Sequence, residues 1–308
     1  MASAKPPVAA WLPGLPSRQL AMAFRALVLA ALLSIFGISE AAQQSVKLAG
    51  MDVTVWSQER PAATPLPVIV FSHGFHGCAT QSRFLMDALA AAGYIVFAPN
   101  HRDATCSGGG ASWSEKSAVP FRDPAQWSDS SYRDRANDIR RLIDAIAADP
   151  RFRSRADVSR LALAGHSLGG YTVLGLAGAW SSWTLPGVKA VLALSPYTQP
   201  FVAQKTLAGL GVPVMYQGGT RDLGVTPTLH KSMGAYDQSP APKYYVEFDG
   251  AGHFAWTDVG LTSAHADIIA YSVAFLDLYV KREPVDPRFT QVLPGVAVLR
   301  YASELGKK

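Results

Sequence analysis

A lone serine hydroxyl is a poor nucleophile; it becomes a good one when a histidine takes its proton and a carboxylate orients that histidine. The chain carries these three residue types in that order, each beside glycine. Ser167 lies in Gly165-His166-Ser167-Leu168-Gly169, Asp222 ends Gly218-Gly219-Thr220-Arg221-Asp222, and His253 closes Gly250-Ala251-Gly252-His253. The first is a G-x-S-x-G match, the pattern of a strand that turns sharply into a helix and leaves its middle side chain exposed. Such a turn also aims the Leu168 N–H and the helix N-terminus at any oxygen that gains negative charge. The chemistry these residues suit is acyl transfer, with Ser167 as nucleophile, His253 as base and Asp222 as the acid that holds it.

Rivals for these roles are weaker. Asp249 lies four residues before His253 and is expected to cap its loop, Asp258 follows the histidine, and His230 and His265 fall within apparent helices. Acyl transfer needs a second oxyanion donor, and the Phe75 N–H after His73-Gly74 is the expected one. His73 should brace that loop, and His166 should pack behind the nucleophile. A metal site at His73 and His76 is not expected, because no carboxylate or cysteine stands at matching spacing.

These residues must be positioned by strands and helices, and the hydrophobic pattern supplies both. Short, largely apolar runs at residues 68–71, 94–98, 161–164, 188–194, 212–216 and 244–248 suit strands buried on both faces. Helical spacing falls at 80–92, 132–148, 171–179 and 261–280, and residues 45–57 suggest a β-hairpin. This alternation predicts an α/β fold, a mostly parallel sheet with helices on both faces. Ligands of such sheets bind beyond the carboxyl ends of the strands, where each motif above lies. Residues 102–131 form a long, weakly periodic insertion, and loops of that length tend to be functional. Phe75, Trp127 and, above all, Trp256, Trp113, Phe121 and Trp183 are aromatic candidates for a substrate wall. The Pro-containing tail from Arg282 is expected to pack on the surface.

The strand–His-Gly loop, Gly-His-Ser-Leu-Gly-Gly elbow, Gly-Gly-Thr-Arg-Asp turn and Gly-His-Phe loop together resemble the α/β-hydrolase superfamily. Within it, Ser72-His73-Gly74-Phe75-His76-Gly77 is similar to the dienelactone-hydrolase-like, platelet-activating-factor acetylhydrolase-like and bacterial polyester-hydrolase or cutinase branch. The resemblance covers roughly residues 45–281. It implies a cofactor-free serine carboxylesterase acting on small or polymeric esters. Two departures narrow it. Ser167 stands where true dienelactone hydrolases place cysteine, and no His-Gly-Gly-Gly run is present. Amide or thioester cleavage by the same three residues, and a non-catalytic binding module, are the competing readings.

Composition agrees with a globular enzyme: 308 residues, 49% hydrophobic, 17% charged, formal charge +5. The charge is dispersed, with no basic stripe interleaved with aromatics, so nucleic acid is not an expected partner. No apolar span reaches the length of a permanent membrane helix. Oligomeric state has no signature here. Near the N-terminus, Ala26 to Ile38 is almost wholly apolar, follows Arg18 and Arg25, and precedes Ser39-Glu40-Ala41. That is the layout of a secretory signal peptide over residues 1–41, with Met22 as an alternative start, leaving a single catalytic domain at 42–308. Export to the periplasm or medium would let the only two cysteines, Cys78 and Cys106, form a disulfide, two free thiols being the alternative.

Overall fold

In the computed structural model, the described residues are 41–59, 62–106, 111–260, 263–303 and 306–307. The expected signal peptide therefore lies almost wholly outside the described residues.

The hairpin forms first, from β1 (Ala41–Leu48) and β2 (Met51–Gln58), turned at Ala49-Gly50. There follow β3 (Leu66–Ser72), helix α1 (Arg83–Ala91), β4 (Ile95–Pro99), α2 (Arg133–Ala148), β5 (Ala156–His166) and α3 (Leu168–Leu174). The second half supplies β6 (Val188–Leu194), α4 (Gln199–Gln204), β7 (Val214–Gly219), α5 (Thr226–His230), α6 (Ala235–Gln238), β8 (Lys243–Phe248) and α7 (His265–Leu276). The last elements are β9 (Val296–Ser303) and β10 (Gly306–Lys307). All strands join one sheet in the order β1-β2-β4-β3-β5-β6-β7-β8-β9-β10. From β4 to β8 every pairing is parallel; β1, β2, β9 and β10 add antiparallel margins.

Strand periodicity divides the core. Along β3, Val68 and Val70 enter one apolar layer with Ile139, Leu142 and Ile146 of α2 and Val173 and Leu174 of α3. Ile69 and Phe71 enter the opposite layer with Leu85, Met86 and Leu89 of α1 and Ile268, Tyr271 and Phe275 of α7. A strand buried on both faces must be apolar at successive positions, which is why these runs show no polar alternation.

Two expectations fail. Gly218 and Gly219 belong to β7 rather than to a turn, pairing with Glu247 and Phe248 of β8, so the turn toward Asp222 starts later. The tail is not a surface appendage either. Phe289 is fully buried, and β9 pairs antiparallel along β8 from Lys243 to Phe248, closing that side of the parallel sheet. Among the described residues, no helix is long and apolar enough to cross a membrane.

Candidate active site

The strand ends of the parallel sheet carry the site. Ser167 joins β5 to α3 with φ 54° and ψ −116°, a conformation a non-glycine residue adopts only under constraint. Three backbone hydrogen bonds impose it: Ser167 N–H donates to the Leu194 carbonyl (3.1 Å), and the Ser167 carbonyl accepts from Tyr171 (3.1 Å) and Tyr197 (3.0 Å). The flanking glycines allow the close approach. A Cβ on Gly169 would fall 1.9 Å from the Ser72 carbonyl oxygen, and one on Gly165 would fall 2.3 Å from that of Gly169.

His253 Nε2 stands 3.0 Å from Ser167 Oγ, and its Nδ1 stands 3.0 Å from Asp222 Oδ2. Asp222 is almost fully buried. Burial alone would raise its pKa, but hydrogen bonds from His253, Ser195 and the Val225 N–H hold the carboxyl below its usual range. It therefore stays anionic and accepts from Nδ1–H, leaving Nε2 free to take a proton from Ser167. The rival carboxylates have other occupations. Asp258 accepts from the Arg83 and Phe84 N–H groups at the start of α1, and Asp249 accepts from Thr220 Oγ1. His265 stacks on Phe84 and His230 lies parallel to Tyr245.

His166 sits behind the nucleophile, almost fully buried. Its Nδ1 meets Gln81 Nε2 (3.1 Å) and its Nε2 meets the His253 carbonyl (2.9 Å). Burial and the neighbouring His253 push its pKa down to about 3. A neutral ring bonded this way accepts from Gln81 and donates to the backbone of His253, fixing where that loop returns over Ser167. The same Gln81 accepts from Gly74 N–H through Oε1 (3.0 Å), so one amide links the elbow to the loop after β3.

Of the two expected donors, Phe75 lies in that loop and Leu168 at the start of α3. The Leu168 N–H opens the first turn of α3, where a helix offers no acceptor, and the Phe75 N–H finds no acceptor among the described residues. Leu168 follows Ser167 in the chain, and Gly74, Phe75 and Ser167 line one cleft. A buried network fixes the loop. Arg135 donates to the His73 carbonyl (2.7 Å) and the Gly74 carbonyl (3.1 Å) and pairs with both oxygens of Asp103 (3.0 and 2.7 Å). Burial would raise the Asp103 pKa, but Arg135 holds it far below the carboxylate range. His73 bonds the Gly74 carbonyl through Nδ1 (2.7 Å) and accepts the His101 N–H at Nε2 (3.0 Å). His101 meets Ser72 Oγ (2.9 Å) and Asp138 (3.0 Å). Among the described residues, no group of three or more His, Cys, Asp or Glu could hold a metal ion.

The cleft, of about 1040 Å³, is walled by Phe75, Trp113, Phe121, Tyr197 and Phe254, with Leu223, Val225 and Val259. Trp113 and Phe121 come from the 102–131 segment. This segment is tied to the loop after β3 by the Cys78–Cys106 disulfide and by Thr105 Oγ1 donating to the His76 carbonyl (2.7 Å). Three other aromatics expected at the wall are elsewhere. Trp256 is fully buried because one tight helical turn from His253 swings it back under the site, where its Nε1–H donates to Gln217 (2.8 Å). Trp183 is buried on the flank of α3, donating to the Asp129 carbonyl (2.7 Å), and Trp127 packs in the core beneath Phe121. Sequence reasoning missed Tyr197, Phe254 and Leu223. Tyr197 had a usable signal, since it follows β6 on the ligand-binding side of the sheet.

A strained serine elbow on a parallel sheet covered on both faces, with acid and base on later strand ends, defines an α/β-hydrolase fold; that family's pattern matches residues 67–182. The chain belongs to the PET hydrolase-like family, which matches residues 125–300. It is 38% identical over 157 residues to Cutinase est2 of Thermobifida alba, covering 50% of this chain and 45% of that protein. It is 34% identical over 166 residues to Cutinase 2 of Thermobifida cellulosilytica (52% and 56% covered) and to Cutinase cut1 of Thermobifida fusca (52% and 46%). The chain spans about half the length of the curated relatives it matches.

Proposed function

We propose that the protein is an exported serine carboxylesterase that hydrolyses short-acyl, medium-acyl, aromatic or polymeric esters through an acyl-enzyme. The observation that carries this reading is the Ser167–His253–Asp222 relay, with both links at 3.0 Å, opening into an aromatic cleft. Relatives named cutinases and a family described as PET hydrolase-like support an ester as the bond cleaved.

The chemistry follows from the donors and acceptors. Ser167 Oγ attacks the ester carbonyl carbon as His253 Nε2 takes its proton, and Asp222 stabilises the imidazolium. The oxyanion accepts from the Phe75 and Leu168 N–H groups, which need no reorganisation to receive it. Collapse expels the alcohol, protonated by His253. A water that gives its proton to His253 then attacks the acyl carbon and releases the acid with Ser167 restored. The aromatic wall supplies apolar contact for an acyl or aryl group.

Export is supported by the signal-like residues 1–41 and by a disulfide, which oxidising compartments preserve. N-terminal sequencing of the protein from culture medium should begin near Ala42; a retained leader would sink this part of the reading.

Purified protein spanning residues 42–308 should hydrolyse p-nitrophenyl acetate and butyrate, and Ser167→Ala should lose roughly four or more decades in kcat. Activity on the palmitate ester would indicate a long groove. A Ser167→Ala protein that keeps a tenth of its activity overturns the assignment. Turnover of amide or thioester analogues but no ester would overturn the choice of bond while leaving the relay intact.

A further inference from the structure

The residues that follow β6 converge on the relay from behind. The Tyr197 N–H holds the Ser167 carbonyl, and Ser195, one residue past the strand, has φ 40°, its N–H donating to the Gln217 carbonyl of β7 (2.8 Å). This left-handed conformation, unfavourable for a residue with a Cβ, turns the Ser195 side chain inward beneath His253. Its side chain is fully buried. The hydroxyl donates to Asp222 Oδ2, the same oxygen that receives His253, and Ser195 Oγ lies 2.9 Å from His253 Nδ1.

A hydroxyl has one proton and two lone pairs. With its proton committed to Asp222, Ser195 Oγ can only accept from His253, so the Nδ1–H is shared between Asp222 and Ser195. We propose that Ser195 is a positioning residue of the relay, holding Asp222 and His253 in one plane of hydrogen bonds and turning a three-residue relay into a four-residue one. This rests on the reading of Ser167, His253 and Asp222 as a catalytic relay.

The consequence is chemical as well as geometric. As His253 takes the proton of Ser167, positive charge develops at Nδ1–H, and the negative end of the Ser195 hydroxyl dipole faces it. Ser195 thus favours the imidazolium that the transition state needs. Beside His253 stand His166, held neutral by burial, and, among the described residues, the Asp222 carboxylate as its ion-pair partner.

Ser195→Ala removes the hydroxyl and keeps the Cβ. In this variant the rate of Ser167 phosphonylation by a fluorophosphonate, a reaction that reads nucleophile activation whatever the natural ester, should fall roughly 10-fold. On p-nitrophenyl butyrate, kcat should fall by a similar factor with KM unchanged, and the acid limb of kcat/KM should move to lower pH. Ser195→Gly, which suits the positive φ, serves should the alanine protein not fold. Wild-type labelling rates in a folded variant overturn the proposal, as does a loss of activity with an unmoved acid limb, which would mark Ser195 as a packing residue. A wild-type protein inert to the fluorophosphonate overturns the relay itself and Ser195's role with it. A protein that labels but turns over no ester leaves the labelling comparison decisive for Ser195.

Discussion

Ser72, His101 and Asp138 repeat, at 2.9 and 3.0 Å, the hydrogen-bond order of Ser167, His253 and Asp222 at 3.0 and 3.0 Å. The wiring is the same and the surroundings are opposite. Ser167 stands at the end of a strand in a strained turn and opens onto the cleft. Ser72 and His101 are fully buried, and Arg135 reaches the Ser72 hydroxyl (3.4 Å) while pairing with Asp103. Burial first, then the Arg135 charge, lowers the His101 pKa, so its ring stays neutral and has no acyl group to serve. A serine, a histidine and an aspartate in sequence are thus a buried brace in one place and, in the function proposed above, a proton relay in the other. Access and backbone strain make the difference.

The sharpest way to break this comparison is to remove each histidine. His253→Ala should lose roughly four or more decades in kcat with stability little changed. His101→Ala should keep kcat within about tenfold and lose about 2–4 kcal/mol of stability, because Ser72 and Asp138 are left short of a buried partner. Steady-state kinetics and urea unfolding on both variants test the pair. Decades of activity lost from His101→Ala at unchanged stability would erase the distinction.

A smaller effect should appear in acid. His73, His101 and His166 all have native pKa values below the ordinary histidine range, chiefly through burial. Protons then bind the unfolded chain before the folded one, so the stability these rings contribute is present above about pH 6.5 and is lost as pH falls toward their native values. Each ring should cost up to about 2 kcal/mol between about pH 6.5 and pH 5. Unfolding free energies measured over that range should slope downward, and less steeply in His101→Gln. A flat profile would mean that the buried brace is charged.

The smallest effect concerns the walls. Trp113 is 75% exposed at the cleft, whereas Trp256 is buried beneath it. Trp113→Ala should raise KM for an aromatic ester by roughly threefold to tenfold with kcat and melting temperature unchanged. Trp256→Phe should lower the melting temperature and leave KM alone. The opposite pattern would reverse which aromatic faces substrate.

The relay was legible because its chemistry is written locally: each member lies in a short glycine-bearing motif at a strand end, and the strands announce themselves as apolar runs. The brace was not. Ser72, the pair His101 and Asp103, and the pair Arg135 and Asp138 come from three separate stretches of the chain that share no motif, and only the folded sheet brings them together. The tryptophans show the same limit. Trp256 and Trp113 are alike in type, and which one meets the cleft depends on a single tight turn after His253 and on where the 102–131 segment crosses. The β9 strand was missed for another reason. Pro284, Pro287 and Pro294 mark a turn-rich stretch, and the apolar and β-branched residues that form β9, Val296 to Ala302, lie beyond it.

The Cys78–Cys106 crosslink stands at the rim of the cleft, with Cys78 itself part of the wall. Substrate selection and the handling of the sample are therefore coupled. A preparation made in a reducing cytoplasm, or stored with dithiothreitol, carries two thiols where the oxidised protein has a fixed rim. If the protein is the esterase proposed above, relative rates on bulky and small esters are expected to change when dithiothreitol is added; unchanged relative rates would mean that the crosslink does not shape the cleft.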